Sequence, residues 1–192
     1  MNGIIKFFQP ALLALLLLSS CGSRTEGCSI SLRSTAEPYG IALFETLDGT
    51  LIDSVSISSG EVEFEVCGSI AEPYLCMIRL VNPGDAEDTV DIPVGIENGD
   101  VSISYGERFR IGGTPLNESI MVFFSGLSRL RDRVTSPGTD IDACDIPAEF
   151  SRYYLGSISY NAGNPLGEYI FGNYGSHLLG DDRQEAARAL KK

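Results

Sequence analysis

Few side chains in this 192-residue chain carry chemistry, and the five cysteines, Cys21, Cys28, Cys67, Cys76 and Cys144, come first among them. A thiol can be acylated, can bind a metal as thiolate, can cycle with a partner thiol or can close a disulfide. No two of the five are spaced as Cys-x-x-Cys, the arrangement in which redox cysteines most often sit. With Cys21 set aside, four remain, which suits two disulfides in an oxidising compartment and allows three connectivities. A turn at Ala71-Glu72 would set Cys67 opposite Cys76 as a non-hydrogen-bonded pair, where cross-strand side chains come closest. Pro73 works against that turn because it lacks an N–H, and a slip of one residue destroys the register. The expectation is a Cys67–Cys76 bridge, with Cys28–Cys144 as its complement by elimination; a link between Cys28 and Cys67 would overturn it. The alternative use of the same residues is a redox-active pair, at Cys67/Cys76 or Cys28/Cys144.

The other candidates are thinner. Asp85, Glu87, Asp88 and Asp91 read as one acidic loop, and Asp140, Asp142 and Asp145 as a second. Asp140-x-Asp142 imitates the start of a calcium loop, but Asp145 and Ser151 stand where such a loop needs glycine and glutamate. Solvated carboxylates are expected there, and no metal. His177 is the single histidine, and without a Gly-x-Ser-x-Gly elbow it supports no catalytic triad. Zinc would lack ligands, and no P-loop or dinucleotide fingerprint occurs, so neither a catalytic residue nor a cofactor is expected. Phe150, Tyr153, Tyr154, Tyr160, Tyr169, Phe171 and Tyr174 could line a groove for a peptide or glycan, but such residues more often pack helices together.

Cys21 differs from the rest because of what precedes it. Lys6 is followed by an apolar run from Phe7 to Leu18. As a helix this run reaches roughly 18 Å, short of the ~30 Å hydrocarbon core of a bilayer, so it reads as a signal peptide and not as a span. Leu18-Ser19-Ser20-Cys21 resembles the lipobox of bacterial lipoproteins, in which the cysteine sulfur takes a diacylglyceryl group. Residues 1–20 are therefore expected to be removed, and residues 21–27 to tether the fold to a membrane. At about 0.8 kcal/mol per buried CH₂, several acyl chains give lasting attachment. Gly22 is not an aspartate-type inner-membrane retention signal, and residues 22–27 lack an acidic run, so the periplasmic face of the outer membrane is favoured. Processing removes Lys6 and no acid, so the mature chain is more negative by a single unit than the whole chain at −12. Such a surface repels phosphate backbones, and nucleic acid is not an expected partner.

The elements that must position these residues fall into two groups. From Cys28 to Gly113, short apolar or alternating segments are broken by turn signals such as Asp48-Gly49, Asn82-Pro83-Gly84 and Asn98-Gly99. From Thr114-Pro115 the period changes. Leu116, Ile120, Phe123, Phe124, Leu127, Leu130 and Val134 recur at three- and four-residue steps, and further helices are expected from Pro147, Pro165 and Asp181, the last with Gln184 in capping-box position. The expected fold is α+β: an antiparallel β-sandwich or partly open barrel of about eight short strands over 28–113, then three or four helices over 114–192.

Ile52-Asp-Ser-Val-Ser-Ile-Ser-Ser-Gly-Glu-Val-Glu-Phe-Glu-Val66, Pro73-Tyr-Leu75, Val94-Gly-Ile-Glu-Asn-Gly99, Ile111-Gly-Gly-Thr-Pro-Leu-Asn117 and Asn164-Pro-Leu-Gly167 occur in that order. Together they resemble the domain of unknown function 4369 family over roughly residues 28–180. That domain typically forms the N-terminal region of membrane-anchored thiol:disulfide interchange proteins and precedes a thioredoxin-like domain. The resemblance implies an accessory domain; the redox activity does not carry over, because the sequence shows no thioredoxin-like segment with its Cys-x-x-Cys. The function expected is a lipid-anchored accessory or binding protein of the cell envelope, a stand-alone counterpart of that N-terminal half, with an envelope protein or small ligand as partner. A thiol-redox protein or a truncated redox enzyme is the alternative.

Overall fold

The computed structural model describes residues 26–58 and 60–191; the expected signal peptide and lipobox, with Cys21, lie outside them. The strands are β1 (Gly27–Ser34), β2 (Ile41–Thr46), β3 (Leu51–Ser56), β4 (Glu61–Cys67), β5 (Tyr74–Asn82), β6 (Asp85–Ile96), β7 (Gly99–Tyr105) and β8 (Arg110–Gly112). The helices are α1 (Pro115–Thr135), α2 (Ile146–Tyr160), α3 (Pro165–Tyr174) and α4 (Asp182–Ala189). Two four-stranded sheets, ordered β4-β1-β7-β8 and β3-β2-β5-β6, and four helices make an α+β fold with no closed barrel.

Period-two alternation produces the sandwich. Cys28, Ile30 and Leu32 of β1, Val62 and Phe64 of β4, and Val101 and Ile103 of β7 point inward, while their neighbours in sequence face water. Ala42, Phe44, Cys76, Ile78 and Leu80 answer from the second sheet. Phe44 and Phe64 join the layers, with ring centroids 5.3 Å apart. Each large side chain buried in this way contributes about 1.5–3 kcal/mol.

Three expectations about the strands are corrected. First, β4 and β5 do not form a hairpin: Cys67 pairs with Gly27 in one sheet, and Cys76 with Thr46 and Val94 in the other. The register from which the Cys67–Cys76 bridge was inferred therefore does not exist. The side chain of Asn98 takes the place of a strand neighbour in the crossing segment. Its Oδ1 accepts from the Ile70 N–H at 3.0 Å and the Gly27 N–H at 3.1 Å, and its Nδ2 donates to the Ile70 carbonyl at 2.8 Å. Second, the sheets are not wholly antiparallel. β1 and β7 run parallel, from Cys28↔Gly99 to Ser34↔Tyr105, because β7 enters from β6 around the Glu97-Asn98 corner and fills the side of β1 that β4 leaves free. Third, Asp85, Glu87, Asp88 and Asp91 belong to strand β6 and not to a loop. The β5–β6 turn closes tightly, with Asn82 Oδ1 accepting from the Gly84 N–H at 2.9 Å.

The helical stripe of α1 buries Leu116, Ile120, Phe123, Leu127 and Leu130, and the helix lies across β8 and β6. Its first turn is locked to the sheet by Asn117, which is fully buried. Asn117 Oδ1 accepts from the Gly95 N–H at 2.9 Å, and its Nδ2 donates to the Gly95 carbonyl and to Thr114 Oγ1, both at 2.8 Å. Gly95 has to be glycine: a Cβ there would lie 2.6 Å from Leu116 Cγ. Gly113, at φ +106°, passes so near Asp100 that a Cβ would sit 2.2 Å from the Asp100 carbonyl oxygen. Asn164 caps α3 by accepting from the Leu166 N–H at 3.0 Å, whereas Asp181 makes no side-chain cap on α4, so the expected capping box is not formed there.

Candidate functional site

The four described cysteines are free thiols, in two distinct settings. Cys28 and Cys76 are buried in the core between the sheets, and Cys67 and Cys144 are exposed. Burial pushes the Cys76 thiol up to about 11, with Cys28 adding to the effect, and burial raises Cys28 as well. A reactive thiol needs the opposite environment, one that favours thiolate. Neither the Cys67–Cys76 nor the Cys28–Cys144 bridge is formed.

The remaining candidates separate by position. Ligand atoms of Asp142, Cys144 and Asp145 lie within 4.8 Å of one another, all on exposed side chains of one loop. Three groups of mixed type fall short of the six to eight oxygens that calcium takes. Asp140 is not a member of the group. His177 is exposed, in a 3-10 turn beside Tyr154, with ring centroids 6.1 Å apart. Ser151 donates to Asp182 at 2.6 Å and accepts from the Leu179 N–H at 2.8 Å; it is a buried staple between α2 and α4, not a nucleophile. The tyrosines and phenylalanines of the helices pack against one another. Tyr154 stacks on Tyr174 at 4.9 Å, Tyr153 stacks on Phe123 at 5.9 Å, and burial pushes Tyr169 up to about 12. Tyr160 stands apart, well exposed.

A larger concave feature lies where the sandwich opens. β6 and β8 are the edge strands of their sheets on one side, and α1 crosses from one to the other. Between them runs a cleft of about 770 Å³. One wall is Val90–Pro93 of β6, the second is the β7–β8 connection from Tyr105 to Arg110, and the third is the face of α1 carrying Met121, Phe124, Ser125 and Ser128. These helix residues follow three- and four-residue steps beside the buried stripe, so one helix serves both core and cleft. Phe109 and Phe124 meet edge to face at 5.9 Å and give the cleft an apolar floor.

Arg108, Arg110, Arg129 and Arg131 line its rim. Among the described residues none of these four is in an ion pair, whereas Arg33, Arg79, Arg133 and Arg152 each hold a carboxylate. Two acids also line the cleft, Asp91 and Glu107. Asp91 is already gripped by Arg79, at 2.7 Å from Nε and 3.2 Å from Nη2. The sequence reading missed these arginines. The visible signal is Arg108-Phe-Arg110 and Arg129-Leu-Arg131-Asp-Arg133, two short basic alternations in a strongly acidic chain.

Fold and cleft together define an α+β sandwich with a helix-walled opening at its edge. No protein-family model matches the chain, and no curated protein matches it in sequence.

Proposed function

We propose that this is a lipid-anchored binding protein of the cell envelope, held to a membrane through Cys21 and taking its ligand in the cleft between β6, β8 and α1. The observation that carries the reading is the cleft itself. It is preformed, floored by Phe109 and Phe124 and rimmed by polar groups, and its size falls in the range of small-molecule sites. The Leu18-Ser-Ser-Cys21 motif supports the anchor, and the resemblance to the accessory domain of thiol:disulfide interchange proteins supports an auxiliary, non-catalytic role. The redox alternative draws no support from Cys28 and Cys76, whose burial disfavours thiolate.

Ser128 is exposed on the cleft face of α1, so Ser128→Trp fills the opening without entering the core. Native mass spectrometry of the mature chain, after incubation with solubilised envelope extract, is expected to show a retained small molecule that the Ser128→Trp variant loses. Equal retention by both would place binding elsewhere on the molecule.

A further inference from the structure

We infer that the cleft takes a small organic anion, with its acidic group gripped by Arg108, Arg110, Arg129 and Arg131 and its apolar body laid on Phe109 and Phe124. The inference rests on the cleft being the binding site and adds the chemical class of what fills it. The whole chain carries 26 acidic residues against 14 basic ones. Four of those basic residues nevertheless converge on one opening, from two separate elements. Arg33, Arg79, Arg133 and Arg152 are paired with carboxylates, while Arg183 and Arg188 on α4 are in no ion pair among the described residues, so what sets the cleft four apart is that they line one opening. Among the described residues the four at the cleft hold no carboxylate, so their forks are free to meet an incoming one.

A guanidinium presents paired N–H groups that match a carboxylate, phosphate or sulfonate in bidentate fashion. Placed beside an aromatic floor, it selects a molecule with both an acidic end and a flat apolar body. The surrounding negative field argues for a small ligand. A polyanion or an anionic bilayer would meet the whole −12 surface, whereas a small anion inside the cleft lies within a Debye length, ~8 Å at physiological salt, of the arginines. The volume of about 770 Å³ suits a molecule of that kind.

The test uses residues 21–192 with Cys21→Ser, which avoids detergent, and two fluorescent probes of matched shape. These are anilinonaphthalene sulfonate, an anion, and its uncharged analogue phenylnaphthylamine. The sulfonate is expected to bind one per chain, and to lose at least tenfold in affinity in the Arg108→Gln/Arg129→Gln variant and again between 50 and 500 mM salt on the order expected for exposed ion pairs. The uncharged probe should be indifferent to both changes. Arg110→Gln/Arg131→Gln provides a second, independent pair, and unchanged thermal unfolding of both variants excludes misfolding as the cause. If the two probes bind alike and neither arginine pair alters the sulfonate, the anion inference is overturned while the cleft remains a binding site. If neither probe binds, or both bind Ser128→Trp as well as the parent, the cleft reading itself falls and this inference with it.

Discussion

Each described thiol takes its reactivity from how far water reaches it. Cys67 and Cys144 are exposed and should alkylate in the folded protein at pH 8. Cys28 and Cys76 should react only after unfolding: burial raises both, and at that pH the Cys76 thiol, held near 11, is roughly 0.1 % thiolate. Peptide mapping after a timed iodoacetamide pulse separates the two classes; rapid labelling of Cys76 would revive the redox alternative. Linkage gives a second consequence. The folded value of Cys76 lies above its ordinary 9.0, so its contribution to stability is complete below pH 9 and is lost as pH rises through about 11. The loss is on the order of 2–3 kcal/mol, and Cys76→Ala should flatten that stretch of the urea-unfolding pH profile. At this scale the cysteines were legible as chemistry but not as environment, because partner strands decide burial. The arginines escaped notice because their convergence exists only in three dimensions.

Elements were read more successfully where one period governs them. β1 and β4 alternate and α1 carries its stripe along one face. The β4–β5 pairing was misread because Glu61–Val66 and Tyr74–Val81 look locally like the two arms of a hairpin. The side chain that holds the crossing segment instead, Asn98, lies far along the chain. The joint between β6 and α1 yields a test. Asn117→Ala leaves two buried Gly95 groups unpaired and should cost about 2–4 kcal/mol in urea unfolding. Gly95→Ala forces a Cβ against Leu116 and should cost about 1–3 kcal/mol, some of which Gly95→Ala/Leu116→Ala recovers. Independent, additive effects of Gly95→Ala and Leu116→Ala would show that the contact is not what constrains the joint.

For the molecule as a whole, composition and period were enough to reach an α+β sandwich with trailing helices, and not enough to reach its topology. Whether a strand lies parallel to a partner some seventy residues away is a matter of which edge is vacant, and β1 and β7 found each other on that basis. The anchor is tested at this scale. Intact mass of the native protein is expected to show acylation on the peptide beginning at Cys21, and Cys21→Ser should release the protein from the membrane fraction. An unacylated mass with the leader still attached would remove the anchor.

That parallel pair also separates the two ends of the molecule. If lipid holds Cys21 at a bilayer, the six residues to Gly27 reach at most ~20 Å, which keeps the start of β1, and Gly99 beside it, near the headgroups. Because β7 travels in the same direction as β1, Tyr105 lies about 20 Å along the strand from Gly99, and the connection bearing Arg108 follows it. The mouth and the attachment point of any tether then lie at opposite ends of this strand pair, so a ligand could enter without passing the anchored end.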